Sequence, residues 1–151
     1  MTARHAWAAV AIMLVIVFGC GAQLVTPVSA KGYEDTVVKA AGGSLSAVRT
    51  TALLCLAHQQ GQTWSTYDDT VLTDAREAVA TSQHNLGTVD VPDAQSAALR
   101  DEVTPLLAKA TTAVGDAGLA LSDDDPAAIA KARAELDAIG EDLDTFVEEH
   151  E

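Results

Sequence analysis

Residues 126–146 read PAAIAKARAELDAIGEDLDTF and carry the clearest helical pattern in the chain. Apolar residues recur there at intervals of three and four, which places them on one face of an α-helix. Pro126 follows an acidic run at positions 123–125, the arrangement expected where a helix begins with an acidic cap and a proline in its first turn. The stretch therefore predicts an amphipathic helix whose buried face consists of Ile129, Ala132, Leu136, Ile139, Leu143 and Phe146.

The segment before residue 61 has the same spacing. From Ser44 onward its apolar positions are Leu45, Val48, Ala52, Cys55 and Leu56. Gly61 is expected to end this helix. Residues 31–43 are either a linker or an extension of the helix, since Val37 and Val38 continue its pattern while the Gly42-Gly43 pair favours a bend.

The middle of the chain supplies two further helical segments. We expect one to begin with Ser65 or Thr66 as its cap and to stop at Gly87. The other follows a turn at 88–92, and Pro105 inside it predicts a kink near 101–104. The apolar faces of these two segments are Val71, Leu72, Ala75, Val79 and Leu86, and Leu99, Val103, Leu106, Ala110, Val114, Ala117 and Leu121.

Four amphipathic segments joined by short turns predict an all-α protein, an up-down-up-down four-helix bundle over residues 44–151. No alternating β pattern interrupts them. Their core is mostly Leu, Val, Ile and Ala, which leaves little room for a cofactor, and we predict none.

The first 30 residues are typical of an export signal. Arg4 and the α-amino group precede an uncharged apolar block from Ala6 to Gly19, and no acidic residue accompanies them. The rest of the chain is therefore expected outside the cytoplasmic membrane, secreted or attached to its outer face.

Three fates of this segment remain open. Val28-Ser29-Ala30 offers the small residues that signal peptidase requires, with cleavage between Ala30 and Lys31. Val17-Phe18-Gly19-Cys20 resembles a lipobox, which would make Cys20 a lipidation site. Alternatively, the 20 residues from Ala6 to Val25 stay as a membrane anchor, because a helix of that length spans about 30 Å.

The exported part is strongly acidic. Residues 31–151 contain 8 Lys and Arg against 22 Asp and Glu, a net charge of −14. Nucleic acid is excluded as a partner, since its binding depends on cations that neutralise phosphates. A partner, with a protein at the cell envelope as the preferred possibility, should be basic, or a cation, or a surface met through apolar contacts.

Candidates for chemistry are few. Cys55 and His58 lie one helical turn apart, and with His84 they form the alternative hypothesis, a small-ligand- or metal-binding bundle. A structural zinc site takes four ligands, so packing is the preferred interpretation of Cys55 and we assign no metal. The run Asp123-Asp124-Asp125 lacks the glycine and distal glutamate of a calcium loop and is explained by capping. The acidic tail 141–151 is interpreted as a solvated helix face, with a docking surface for a basic partner as the alternative. No catalytic residue is assigned, and we do not expect an enzyme.

Trp64 and Tyr67 bracket the turn between the first two segments, where they either cap the bundle or form a partner contact. The segments SAVRTTALLCLA, TWSTYDDTVLTDAREAV and LRDEVTPLLAKA resemble small exported helical proteins of high-GC actinobacteria, a group without an assigned activity. The resemblance covers residues 44–147 and implies no catalytic residue. The expected function is a non-enzymatic protein- or peptide-binding or accessory module at the cell envelope.

Overall fold

The computed structural model describes residues 28–151, which form four α-helices and no strand. The helices are α1 (Ala30–Gln59), α2 (Ser65–Gly87), α3 (Ala94–Ser122) and α4 (Pro126–His150). α1 contacts all three other helices, and α3 contacts both α2 and α4. Within the described residues α2 and α4 do not contact each other, so they flank the α1–α3 pair. The predicted all-α four-helix bundle is confirmed.

Cross-helix contacts show that α1 and α2 are antiparallel and that α3 and α4 are antiparallel. His58 near the end of α1 meets Asp68 near the start of α2, and Lys109 of α3 meets Asp142 of α4. We call the end of the bundle that contains Ala30 the base. We call the opposite end, where a turn connects α1 to α2, the tip. At 1.5 Å per residue the 30 residues of α1 extend about 45 Å from base to tip.

The core contains the aliphatic side chains that the spacing predicts, with small shifts of register. Leu54 and Leu107 are buried, whereas their predicted neighbours Leu56 and Leu106 are only half-buried. In α4, Gly140 is buried beside α1 and Ile139 packs at the edge of the core. The largest fully buried side chains are Tyr33, Leu107, Ile129, Leu136, Leu143, Val37, Val48, Val79, Val103, Val114, Thr51 and Cys55.

Residues 31–43 are an extension of the first helix and not a linker. α1 runs without interruption across Gly42-Gly43, and Tyr33 and Val37 are buried in the core. A Cβ built on Gly43 would lie 2.9 Å from the hydroxyl oxygen of Ser82 in α2, closer than side chains normally approach. Gly43 therefore allows α1 and α2 to pack closely, and the bundle begins at Ala30.

α3 also continues through its proline. Pro105 faces solvent, so the carbonyl that loses its intrahelical N–H partner can be hydrated. Among the described residues, α1 is the one helix long and apolar enough to cross a membrane by length and composition, and its apolar side chains form much of the core.

Candidate functional site

The turn between α1 and α2 presents two aromatic side chains at the tip. Trp64 is 85% exposed and Tyr67 is 57% exposed, so neither covers the end of the core. The backbone carbonyl of Trp64 accepts hydrogen bonds from the N–H groups of Tyr67 and Asp68 at 2.8 and 3.0 Å. Trp64 is thus the N-cap residue of α2, and the two predicted candidates for the cap, Ser65 and Thr66, are instead its first helical residues. The aromatic pair stands on an ordered helix start.

Gly61 gives this turn its shape. The N–H of Gly61 donates to the carbonyl of His58 and that of Gln62 donates to Ala57, both at 2.9 Å. This pair of bonds is a Schellman motif, and Gly61 has the positive φ of 66° that the motif requires. The predicted stop at Gly61 is confirmed.

His58 joins three segments at the tip. Its Nδ1 lies 2.7 Å from Oδ2 of Asp68 in α2, and its Nε2 lies 3.0 Å from Oδ1 of Asp124 in the turn between α3 and α4. Asp68 is buried, whereas Asp124 is largely exposed. Donation of hydrogen bonds from the ring to Asp124 and, second in size, to Asp68 raises the pKa of His58, since both contacts favour the imidazolium form. We call these three residues the histidine clamp.

The acidic run 123–125 serves the turn between α3 and α4. Asp124 has a positive φ of 50°, and the N–H groups of Asp124 and Asp125 donate to carbonyls in the last turn of α3. The side chain of Asp125 accepts from the N–H groups of Ala127 and Ala128 and so caps α4, with Pro126 in its first turn. The capping interpretation is confirmed, while the contact of Asp124 with His58 adds a role that the sequence did not indicate.

A small cavity of about 210 Å³ lies beside the clamp and is lined by His58, Asp68 and Gly118, among others. A Cβ on Gly118 would collide with the guanidinium of Arg76, so glycine is what lets the arginine side chain lie across α3. Oδ1 of Asp68 is buried and has no hydrogen-bond partner among the described residues. His58 is therefore the partner that Asp68 depends on.

The structure does not bring Cys55, His58 and His84 together. His84 is exposed in the last turn of α2, 16 residues beyond Asp68, which corresponds to about 24 Å along the helix. Cys55 is completely buried, and desolvation raises the pKa of its thiol to about 11. A buried neutral thiol is a packing group, in agreement with the preferred interpretation of Cys55.

The predicted cleavage site lies at the start of α1. Ser29 is the N-cap residue, and its hydroxyl accepts from the N–H of Gly32 at 3.1 Å. Ala30 and Lys31 are the first helical residues, so cleavage between them has to precede folding of this end or occur on a frayed first turn. The apolar segment and Cys20 lie outside the described residues.

The structure also contains a cluster of potential metal ligands that no sequence pattern indicates. Glu102 of α3 meets Glu149 and His150 in the last turn of α4, at the base of the bundle. Positions 149 and 150 belong to the tail that was interpreted as solvated, and nothing local in the sequence connects them to residue 102. The antiparallel pairing of α3 with α4 makes the cluster.

Comparison with models of known protein families, with curated proteins and with solved structures found no match for this chain.

Proposed function

We propose that the protein is a non-enzymatic extracytoplasmic helical bundle that binds a protein partner at the cell envelope through Trp64 and Tyr67. The observation that carries the proposal is the exposure of Trp64, 85%, beside an exposed Tyr67. Tryptophan and tyrosine are enriched among the residues that dominate binding energy at protein interfaces.

The backbone that carries Trp64 and Tyr67 is ordered, which favours binding. Trp64 is the N-cap residue of α2 and its backbone carbonyl accepts two hydrogen bonds, while Asp68 in the first turn pairs with His58. The backbone is therefore already ordered before a partner arrives, which lowers the entropy cost of association.

The position of the pair suits an exported or tethered protein. The export segment precedes α1 at the base, and the tip lies about 45 Å away along α1. A bundle attached by its N-terminus would present Trp64 and Tyr67 away from its attachment point. The net charge of −14 on residues 31–151 would attract a basic partner to the bundle as a whole.

The proposal is tested by photocrosslinking in the cells that produce the protein. A photoreactive phenylalanine analogue replaces Trp64 in one strain and, in another, the exposed Asn85 at the base end of α2. We expect a discrete crosslinked species of defined mass from position 64 and none from position 85. Mass spectrometry identifies the partner, which is then purified for binding measurements.

Binding of that partner to Trp64→Ala should be weaker by at least tenfold, equivalent to about 1.4 kcal/mol, and Asn85→Ala should bind like the wild type. If affinity falls steeply as salt rises past about 0.15 M and Trp64→Ala loses none of it, the partner binds the acidic surface and not the aromatic pair. Absence of any crosslink from position 64 would contradict the proposed contact.

A further inference from the structure

The ligand cluster at the base is formed by two helices. Glu102 lies in the third turn of α3, and Glu149 and His150 end α4. One ligand atom from each side chain lies within 4.8 Å of the ligand atoms of the other two. A single ion between them would therefore be within bonding reach of all three after small side-chain adjustments.

His150 is oriented as a ligand. Its ring packs on Phe146 with a centroid separation of 4.5 Å, and Phe146 is buried in the core. Nε2 of His150 is buried and has no hydrogen-bond partner among the described residues, although Oε2 of Glu102 lies 3.7 Å away. At 3.7 Å this ion-pair contact is too long for a hydrogen bond, so a bound cation would supply the close partner that the buried nitrogen lacks.

We propose that Glu102, Glu149 and His150 form a binding site for a divalent transition-metal ion of the Zn²⁺ class. One imidazole nitrogen with two carboxylate oxygens is a donor set that Zn²⁺ accepts, whereas Ca²⁺ and Mg²⁺ prefer oxygen ligands alone. The same donors suit Ni²⁺ and Cu²⁺, so the site selects a class of ion by its nitrogen ligand.

The surroundings leave room for the remaining coordination position. A cavity of about 330 Å³ adjoins the cluster and is lined by Glu34, Ser96, Glu102 and His150, among other residues. This space admits a water ligand and gives the ion a route from solvent. Within residues 28–151, no lysine or arginine lines this cavity.

The local charge also favours a cation. The last turn of α4 has free carbonyl groups at the negative end of its helix dipole, next to the carboxylates of Glu102 and Glu149. Neutralising these two carboxylates would relieve repulsion in a chain of net charge −13. The ion would link α3 to the end of α4, and this inference does not depend on the proposed contact at the tip.

The site is tested on the purified full chain after removal of metal with a chelator. Isothermal titration with ZnCl₂ should give saturable binding of one ion per chain, and MgCl₂ at the same concentrations should give none. Glu102→Gln and His150→Ala should each weaken Zn²⁺ binding at least tenfold while circular dichroism shows unchanged helix content. Glu149→Gln, which like Glu102→Gln changes an exposed side chain, should also weaken Zn²⁺ binding.

Two matched variants control for charge and for histidine in general. Glu148→Gln removes the adjacent acidic charge, and His84→Ala removes an exposed histidine of α2; both should bind Zn²⁺ like the wild type. Addition of Zn²⁺ should raise the melting temperature of the wild type and of both controls, but not that of Glu102→Gln. Non-saturable uptake, binding that survives His150→Ala, or an equal loss in Glu148→Gln would overturn the site.

Discussion

Nε2 of His58 lies 3.0 Å from Oδ1 of Asp124, and Asp124 is the one non-glycine residue of positive φ in the described part of the chain. The left-handed backbone conformation costs a side-chain-bearing residue about 1 kcal/mol or more. The turn between α3 and α4 is thus strained at the residue whose side chain α1 binds. The histidine clamp gives this strained turn a contact with the first helix pair.

Replacement of His58 by alanine should destabilise the bundle. It leaves the buried carboxylate of Asp68 without a partner, which we expect to lower the free energy of unfolding by about 2 kcal/mol, between the effects for exposed and for buried ion pairs. Urea denaturation at pH 6 measures the change. His84→Ala is the control, and its effect should stay within about 0.5 kcal/mol. Equal losses in the two variants would contradict a special role for the clamp.

The contribution of His58 should depend on pH in a defined direction. Its pKa in the folded protein is raised by the hydrogen bonds to Asp124 and Asp68. The stabilisation is therefore fully present below the unfolded pKa of about 6.5 and is lost as pH rises through the folded value.

The stability difference between wild type and His58→Ala should consequently shrink as pH increases above about 6.5. Urea midpoints of both proteins at pH 6, 7, 8 and 9 test this, and the ring-proton shifts of His58 give its pKa directly. A difference that stays constant over this range would show that the charge on His58 does not stabilise the fold.

Substitutions at Asp124 should separate backbone strain from the side-chain contact. Asp124→Gly and Asp124→Ala both remove the carboxylate, but glycine adopts positive φ freely, so the glycine variant should be more stable by about 1 kcal/mol. At the neighbouring Asp123, whose φ is −82°, alanine should be at least as stable as glycine. Thermal unfolding of the four variants checks both orders, and alanine equal to glycine at 124 would argue against strain.

Cys55 should be unreactive in the folded protein. The thiol is buried and its pKa is raised to about 11 by desolvation, and the thiolate is the reactive form. In a Cys20→Ser background, a thiol reagent at pH 8 should label Cys55 only when urea unfolds the bundle. Cys55→Ala should cost about 1 to 2 kcal/mol of stability and leave metal content unchanged. Rapid labelling of the native protein would show that the thiol is accessible.

The N-terminus should be processed between Ala30 and Lys31. Intact mass of the protein from its own cells tests this, and Ala30→Leu should abolish the cleaved species while Cys20→Ala should not. Because cleavage removes the Ser29 cap, the chain that begins at Lys31 should be about 1 kcal/mol less stable than a chain that keeps Ser29. Loss of processing in Cys20→Ala, with processing unchanged in Ala30→Leu, would support lipidation. A mass that retains residues 1–30 would support an anchor.

Local sequence patterns predicted the helices because the interactions that start and end a helix are made between residues close together in the sequence. Pro126 with Asp125 before it sets the start of α4, and Gly61 sets the end of α1, through bonds that span a few residues. The histidine clamp and the cluster of Glu102 with His150 escaped prediction, since they depend on the stagger of antiparallel helices. That stagger is set by the packing of whole helix faces and has no signature at one position.

The central position of α1 also has a consequence for the order of events during synthesis. α1 is completed first, yet one of the helices it packs against, α4, ends at His150. At 5 to 20 residues per second, the apolar face of α1 waits roughly 5 to 20 s before α4 can cover it. During that interval the part of the α1 face that α4 covers stays exposed in the nascent chain, so the core of the bundle cannot close before its last helix is synthesised.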